Sequence, residues 1–438
     1  MADSSPLHDA PAGAIRQHLI DPEICIRCGA CEAACPINAI THNDLNYVVN
    51  PDVCEGCMAC IPGCPTGAID NWILTLAARA HPVDDQLTWE SLPPAWTLDQ
   101  LVAEGVAEAT KGPAPEGPQK AAVEAVIQAQ PEPAAGDVTF TSANYNASLP
   151  PWSAAHAFTN LYPVGQPTTA TVVGNFNCTK AGYASETHHV MLDFGTMPFP
   201  ILEGQSIGIV PPGTDDKGRA YVARQYSVAS PRNGERPGYN NVSLTVKRVD
   251  VDHAGKPVRG VASNYLCDLQ IGDAVKVIGP FGNSFLMPNH PKSNIVMICT
   301  GAGSAPMRAM TEWRRRLRKS GKFEGGRLML FFGARTQQEL PYFGPLTSLP
   351  KDFIDVNLAF SRTPGQPKRY VQDLMRERSA DLAALLKDAG TSIFVCGLKA
   401  MDEGVLHALA DVATDNGLNW DTLAAAFKRE GRLHLETY

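Results

Sequence analysis

Residues 25–36 read Cys-Ile-Arg-Cys-Gly-Ala-Cys-Glu-Ala-Ala-Cys-Pro, and the same cysteine spacing returns at residues 54–65. Eight cysteines at a fixed short spacing indicate a metal centre rather than disulfide bonds. A cubane cluster takes three thiolates from one tight loop and the fourth from the other half of a duplicated unit. The pattern therefore predicts two [4Fe–4S] clusters, one on Cys25, Cys28, Cys31 and Cys64 and the other on Cys54, Cys57, Cys60 and Cys35. Zinc is the alternative. Four-cysteine zinc sites use two Cys-x-x-Cys pairs separated by a longer span, and they need neither three cysteines in one short loop nor the Cys-Pro pairs.

The composition indicates a globular enzyme of several domains. A chain of 438 residues exceeds one ordinary core. A formal charge of −8 argues against nucleic acid or an anionic membrane as a partner. No stretch approaches the roughly 20 apolar residues of a membrane helix, and the first residues lack the basic and apolar regions of a signal peptide. We therefore expect a cytoplasmic protein with no membrane and no nucleic-acid partner.

The sequence rhythm divides the chain into five segments. Residues 1–16 are predicted as an N-terminal tail and residues 17–75 as the cluster-binding domain. Residues 76–150 are predicted as a linker, because Ala, Glu, Pro and Gly dominate its middle. Short β-rich runs within residues 151–288 predict a barrel or sandwich. Strand, turn and helix alternate within residues 289–438, which predicts an α/β unit with a parallel sheet.

One turn in the α/β segment is suited to a dinucleotide. A strand at Ile295–Cys299 leads into Thr300-Gly-Ala-Gly-Ser-Ala-Pro306 and then a helix. Glycines let the backbone approach a pyrophosphate, and the helix N-terminus offers free N–H groups. Proline is favourable in the first helical turn. The cofactor-binding residues predicted here are Thr300, Gly301, Gly303, Ala305 and Pro306.

The choice of coenzyme follows from charge. The strand at Val356–Phe360 is followed by Ser361-Arg362, and then by Lys368-Arg-Tyr370-Val-Gln372. An adenosine 2′-phosphate needs cations and hydroxyl donors where an NAD enzyme has a carboxylate for the free ribose hydroxyl. The pattern favours NADPH over NADH, with solvated surface charge as the alternative.

The segment Arg224-Gln225-Tyr226-Ser227 is the first of several motifs that resemble one family. An arginine can pair bidentately with a pyrophosphate, and a tyrosine on the same strand face can pack on an aromatic ring. With Gly260-Val-Ala-Ser263, Cys396-Gly397 and Glu436-Thr-Tyr438, this order resembles plant-type ferredoxin–NADP reductases from about Pro163 onward. Residues 17–75 resemble bacterial two-[4Fe–4S] ferredoxins.

The resemblance implies an antiparallel β-barrel FAD domain at residues 151–288 and a parallel-sheet NADP-binding domain at residues 289–438. The fold class is thus multidomain, α+β and α/β. The implied FAD and NADPH contacts are Arg224, Gln225, Tyr226, Ser227, Lys247, Gly260, Val261, Ala262, Ser263, Ser361, Arg362, Lys368, Tyr370, Gln372, Gly397, Leu398 and Tyr438. The implied reaction-centre residues are Ser263, Cys396, Glu436 and Tyr438. Two positions depart from the family: Ala262 stands where cysteine is frequent, and Val251 stands where a tyrosine stacks on adenine.

The fused order resembles the reductase components of oxygenases. That resemblance implies electron flow from NADPH through FAD and the clusters to a separate di-iron oxygenase component. The chain lacks the paired Glu-x-x-His motifs of a di-iron site. The alternatives are a general ferredoxin–NADP reductase, flow in the reverse direction, and a non-catalytic cluster-carrying subunit. The basic run at residues 314–319 is interpreted as a helix C-terminal turn or as a docking patch for an acidic partner.

Overall fold

The computed structural model describes residues 13–27, 29–61, 64, 66–103, 157–180, 183, 185–251, 255–290, 292–323 and 325–438. In these ranges three folded units follow one another along the chain. None of the described helices combines the length and the apolar character needed to cross a lipid bilayer.

The first unit is a small α+β domain built on the duplicated cysteine loops. Its strands β1 and β4 pair antiparallel from Ala14↔Leu76 to Leu19↔Asn71, and β2 pairs with β3. Its elements are β1 (Ala14–Leu19), α1 (Ala30–Ala34), β2 (Ile40–His42), β3 (Tyr47–Val49) and β4 (Asn71–Leu76). The predicted boundary at residue 17 thus lies inside β1, because this ladder needs the whole strand.

The start of the predicted linker is ordered against this domain. It forms a 3₁₀ turn (Ala77–Arg79) and two short helices, α2 (Val83–Gln86) and α3 (Leu98–Ala103). The Gln86 side chain is buried and donates through Nε2 to the Val49 carbonyl at 2.9 Å. Hydrogen bonds of this kind explain why an otherwise polar segment folds back. The remainder of the predicted linker, residues 104–150, lies outside the described residues.

The second unit is an antiparallel barrel. Its six strands are hydrogen-bonded in the order β8-β7-β10-β5-β6-β9. A further bridge, Val228↔Leu244, joins the end of β8 to β9 and brings the two edges together. Its elements are β5 (Thr168–Asn177), β6 (Thr187–Asp193), β7 (Ser206–Val210), β8 (Arg224–Ser227), β9 (Asn241–Lys247), α4 (Val261–Asp268) and β10 (Ala274–Phe281).

The third unit is a five-stranded parallel sheet in the order β13-β12-β11-β14-β15. Apolar clusters cover both of its faces, as expected for parallel strands. Its strands are β11 (Asn294–Thr300), β12 (Leu328–Ala334), β13 (Ile354–Phe360), β14 (Thr391–Gly397) and β15 (Leu433–Thr437). Its helices are α5 (Ser304–Lys319), α6 (Phe343–Thr347), α7 (Val371–Glu377), α8 (Ser379–Lys387), α9 (Met401–Asp415) and α10 (Trp420–Arg429). The predicted fold class is confirmed.

Candidate active site and cluster-binding loops

The sheet register aligns two of the predicted reaction-centre residues, Cys396 and Glu436, with the buried Cys299. Cys299 is paired with Cys396 across β11 and β14, and Cys396 is paired with Glu436 across β14 and β15. They stand near the carboxyl ends of parallel strands, where open α/β sheets bind ligands. Cys396 is only 2% exposed. Burial, reinforced by the charge of Glu436, raises the pKa of its thiol to about 12, so the thiol is neutral at pH 7.

Glu436 is a carboxyl at this edge whose pKa is shifted. Burial raises its pKa to about 7, and a hydrogen bond with the Ser227 side chain opposes part of that shift. Ser227 ends strand β8 of the barrel, so this contact joins the barrel to the sheet domain. A carboxyl with a pKa near 7 can both hold and release a proton at physiological pH.

Tyr438 lies beside the same edge. Its backbone N–H donates to the Gly397 carbonyl and its own carbonyl accepts from Lys399, each at 3.0 Å. The residue is 64% exposed overall. Burial of the hydroxyl end, which also meets the Gly303 backbone, raises the pKa of the phenol. The ring is therefore fixed at its base and accessible from solvent, beside Cys396.

The predicted pyrophosphate turn is a 3₁₀ turn, Gly301–Gly303, that leads into α5. Glycine is required at Gly303, because an added Cβ would lie 2.2 Å from the Cys396 carbonyl oxygen. No side chain caps the first turn of α5, which leaves its first N–H groups available. The buried Ser304 hydroxyl also has no hydrogen-bond partner among the described residues.

The residues predicted to hold the 2′-phosphate meet where β12 and β13 end. Ser361 donates from its backbone to Ala334 at 3.1 Å, and Arg362 donates to Arg335 at 2.7 Å. The backbone of Arg369 donates to Phe360 at 3.1 Å, which returns the loop to the strand end.

The next residues of this loop begin a helix. Tyr370 is the N-cap of α7, its N–H bonded to Asp373 at 2.9 Å, and its ring is 47% exposed. Lys368 is exposed and Gln372 is half-buried. The structure thus gathers all five predicted residues at one edge.

Lys247 brings a further cation to this edge from the barrel. Burial lowers the pKa of its ammonium group, and the guanidinium groups of Arg335 and Arg362 lower it further, against the opposing effects of Glu339 and Asp250. Mutual repulsion of this kind is relieved by an anion. Arg335 was not among the predicted residues, although its place directly after the buried strand β12 could have indicated it.

Two serines of the barrel were predicted at the site, Ser227 and Ser263. Ser263 lies in the first turn of α4, where its hydroxyl accepts from the Val249 N–H at 3.2 Å and donates to the Gly260 carbonyl at 3.4 Å. The hydroxyl that contacts Glu436 belongs to Ser227 instead. The role of Ser263 at the reaction centre stays a prediction, and Ser227, predicted to bind the cofactor, is the serine in contact with Glu436.

The loop Cys54–Cys60 surrounds a cavity of about 300 Å³, measured with its opening to solvent. Its lining includes Cys35, Cys54, Cys57 and Cys60, the four ligands predicted for the second cluster. The Ala39 N–H donates to the Cys35 sulfur at 3.2 Å. A backbone donor of this type stabilises negative charge on a thiolate ligand.

The first predicted ligand set is partly described. Cys31 and Cys64 are buried in one apolar cluster, against which Cys25 packs, whereas Cys28 lies outside the described residues. Among the side chains that the structure describes, no three Cys, His, Asp or Glu groups form a site for a single metal ion.

Comparisons with known proteins agree with this division. Residues 24–68 match the 4Fe-4S dicluster domain family, and residues 297–407 match the oxidoreductase NAD-binding domain family. The ferredoxin–NADP reductase of the Cyanophora paradoxa cyanelle is 36% identical over 290 residues, covering 64% of this chain and 78% of that protein. The chain belongs to the ferredoxin–NADP reductase family.

Other comparisons agree with that assignment. The Synechocystis ferredoxin–NADP reductase is 35% identical over 288 residues, covering 64% of this chain and 69% of that protein. A crystal structure of Plasmodium falciparum ferredoxin–NADP⁺ reductase, an H286L mutant, has the same fold. It superposes with a TM-score of 0.51 at 23% identity, covering 64% of this chain and 99% of that one. The chain is thus an NADP-dependent oxidoreductase with an added 4Fe-4S dicluster domain.

The residues of this reductase fit FAD, which the family implies. Helix α4 begins at Val261 without a side-chain cap, so its first N–H groups are available to a pyrophosphate. Arg224 and Gln225 are exposed on β8, while Tyr226 is half-buried against the barrel core. Ser227 stands at the end of this strand beside Glu436. The free N–H groups and Arg224 suit a pyrophosphate, and the Tyr226 ring suits packing against an aromatic ring system, so these residues fit FAD.

We expect Arg362→Ala to raise the KM of the reductase for NADPH by about 10- to 100-fold and to leave the KM for NADH unchanged. A hydrogen bond to a charged group contributes about 1.5–3 kcal/mol, and only NADPH carries the 2′-phosphate. Steady-state kinetics with both coenzymes measure the effect. Arg369→Ala is the matched control, since Arg369 is paired with Glu377. An equal loss for both coenzymes would contradict the assignment of Arg362.

We expect Tyr438→Ser to reduce the preference for NADPH over NADH and to slow NADPH oxidation. The aromatic ring lies beside Cys396, and we expect the nicotinamide to occupy the same space. Tyr438→Phe keeps the ring and should keep the preference. The ratio of kcat/KM for the two coenzymes measures the effect, and an unchanged ratio and rate in the serine variant would remove Tyr438 from the site.

Proposed function

We propose that this chain passes electrons from NADPH, through FAD and two [4Fe–4S] clusters, to a separate di-iron oxygenase component. We propose that component to be benzoyl-CoA 2,3-epoxidase of aerobic benzoate degradation, for which this chain would be the reductase component. One observation carries the proposal: a cluster-binding domain lies on the reductase within the same chain, joined to it by ion pairs such as Arg236–Asp70 at 3.2 Å. A reductase that carries its own ferredoxin domain is suited to a dedicated acceptor.

FAD and iron–sulfur clusters supply the conversion of a two-electron donor into one-electron transfers. The chain contributes binding, orientation and proton handling. Lys247, Arg335 and Arg362 provide positive charge for the coenzyme phosphates. Glu436 holds or releases a proton within reach of the Ser227 hydroxyl. Buried Cys396 stays neutral and shapes the apolar wall beside it.

The experiment is reconstitution with purified proteins. The chain, NADPH, benzoyl-CoA and the candidate di-iron component are mixed under air, and NADPH consumption is compared with epoxide formation. We expect product only in the complete mixture, with iron, acid-labile sulfide and FAD bound to the purified chain. Absence of product with a loaded, NADPH-reducible chain would refute this acceptor.

A diffusible ferredoxin is the second candidate acceptor. The relatives described above are named for ferredoxin and NADP, and this observation favours it. The same purified chain is therefore tested with a soluble ferredoxin in place of the di-iron component. Faster transfer to ferredoxin than to the oxygenase would favour a general reductase. Reduction of an added acceptor by NADPH would exclude the non-catalytic subunit.

A further inference from the structure

The first cysteine loop is attached to the reductase through acidic side chains that precede it. Asp21 is fully buried and forms an ion pair with Lys319 near the end of α5. Asp21 and Glu23 each also lie 3.9 Å from the Arg315 guanidinium. Arg315 is 4% exposed, so its contacts with Asp21 and Glu23 lie away from bulk water, where attraction is stronger than at a surface.

A second contact lies close to Cys64, the predicted fourth ligand of the same cluster. Asp70 pairs with Arg236 of the barrel at 3.2 Å. The Arg236 side chain also crosses Gly67, where an added Cβ would lie 3.7 Å from its Cγ. Both chain segments that supply ligands to the first cluster therefore face the reductase.

Arg27, between Cys25 and Cys28, completes this face. Its backbone is left-handed, with φ of 55°, and its guanidinium group lies against α6. Gly344 makes this approach possible, since an added Cβ there would lie 2.0 Å from Arg27 Cζ. The Nη2 atom is buried without a hydrogen-bond partner among the described residues. The loop thus places a cation between Cys25 and the sheet domain.

The same loop reaches towards the candidate active site. One cavity of about 500 Å³, measured with its opening to solvent, is lined by Glu23, Ile24 and Ile26 on one side and by Cys299 and Ser304 on the other. Cys299 is the register partner of Cys396. A single cavity therefore separates the first cysteine loop from the wall of the nicotinamide site.

The second cysteine loop has the opposite environment. The duplication places Asp52 at the position of Glu23 and Gly56 at the position of Arg27. Asp52, Glu55 and Cys57 are exposed. The second loop thus has glycine where the first loop has Arg27, the cation that contacts the sheet domain. Its own acidic side chains face solvent.

We propose that these ion pairs fix the direction of electron flow through the ferredoxin domain. The site of Cys25, Cys28, Cys31 and Cys64 is the accepting end, and the site of Cys35, Cys54, Cys57 and Cys60 is the donating end that a partner protein contacts. Asp21, Glu23, Arg27 and Asp70 are positioning residues. Each NADPH yields NADP⁺, one proton and two electrons, which reach the partner one at a time. The inference rests on the proposed function and adds its direction.

The test reverses charge at each end separately. We expect Arg236→Glu with Lys319→Glu to slow the bleaching of cluster absorbance by NADPH, without air, by about tenfold at low salt, because like charges then face each other. Reduction of the flavin should be unaffected. Amide hydrogen exchange at residues 21–27 should increase, which reports docking independently of activity. The single variant Arg236→Glu should show the same two changes. Adding Asp70→Arg to it restores an ion pair of reversed polarity, and both the rate of cluster bleaching and the hydrogen exchange should return to their original values.

The matched variant is Asp52→Lys with Glu55→Lys on the second loop. It should leave cluster bleaching and exchange at residues 21–27 unchanged, and it should slow electron transfer to cytochrome c, a basic acceptor protein. The inference is overturned if this variant slows internal cluster bleaching, or if the reductase-side variant does not. Failure of NADPH to bleach the clusters of the unaltered protein would instead refute the proposed function.

Discussion

Glu436→Gln is expected to slow NADPH oxidation by about 100-fold, the lower range for loss of a general acid–base group. The carboxyl has its pKa raised to about 7 by burial, with the Ser227 side chain as its hydrogen-bond partner. Glutamine keeps the shape and the contact but can neither take up nor release a proton. The pH dependence of the rate around pH 7 should therefore disappear in this variant, since its titrating group is gone.

Steady-state rates with NADPH and an artificial acceptor, measured from about pH 5.5 to 9, test this expectation. Ser227→Ala should retain a pH-dependent rate with its midpoint moved upward, because the hydrogen bond from Ser227 lowers the pKa of Glu436. Glu430→Gln, whose partly exposed carboxylate pairs with Arg429 and Arg432, is the control. A Glu436→Gln enzyme with the unaltered rate and pH profile would exclude the carboxyl from proton handling.

The same substitution has a predicted effect on stability with a defined sign. A carboxyl whose folded pKa is about 7, against an unfolded value near 4.3, costs stability as the pH rises between these values. Glu436→Gln should therefore raise the Tm at about pH 8 and leave it nearly unchanged at about pH 4. Calorimetry at the two pH values distinguishes this electrostatic cost from a packing defect, which would lower the Tm at both.

The sequence predicted the parts of the site that short spacing determines. Cys35, Cys54, Cys57 and Cys60 meet around one cavity because loop length alone limits how three of them can be arranged. The glycine-rich turn after β11 could be predicted for the same reason, because its strand, turn and helix follow one another directly in the sequence. The contact between Ser227 and Glu436 is not local. It depends on β15, more than 150 residues away in sequence, which brings Glu436 to the end of β8.

The basic run at residues 314–319 shows why partners could not be assigned from sequence. Successive helical residues point in different directions, about 100° apart. Arg314 is buried and donates to the His290 carbonyl, while Arg316 donates to carbonyls of the barrel loop at residues 234–235. Arg315 and Lys319 face Asp21 of the ferredoxin domain. Arg314 and Arg316 are thus structural, whereas Arg315 and Lys319 bind an acidic partner within the chain.

Glu235→Ala is expected to lower the free energy of unfolding by about 3–5 kcal/mol, since removal of one member of a buried ion pair leaves the other charge uncompensated. Glu235 is 2% exposed, and its two carboxylate oxygens accept from Arg308 at 2.7 Å each. Ser243 donates to the same carboxylate at 2.6 Å. Because Glu235 belongs to the barrel and Arg308 to α5, the pair fastens the two domains that form the NADPH cleft. Asp355→Ala breaks a half-exposed pair with Arg378 and should cost only about 0–1 kcal/mol.

The pH dependence of this loss gives a second, independent check. Burial favours a high pKa for Glu235, but Arg308 and the other partners hold it at about 2. The contribution of Glu235 to the free energy of unfolding is complete above its unfolded pKa, near 4.3, and is lost as the pH falls towards 2. The difference in the free energy of unfolding between the unaltered protein and Glu235→Ala should therefore become smaller in acid. Burial also lowers the pKa of neighbouring His189 to about 3, which adds a loss of stability below pH 6.5 in the unaltered protein. Urea unfolding at about pH 7 and pH 4 measures both trends. A loss in Glu235→Ala no larger than that in Asp355→Ala would show that the domains are held together elsewhere, by contacts such as the one between Ser227 and Glu436.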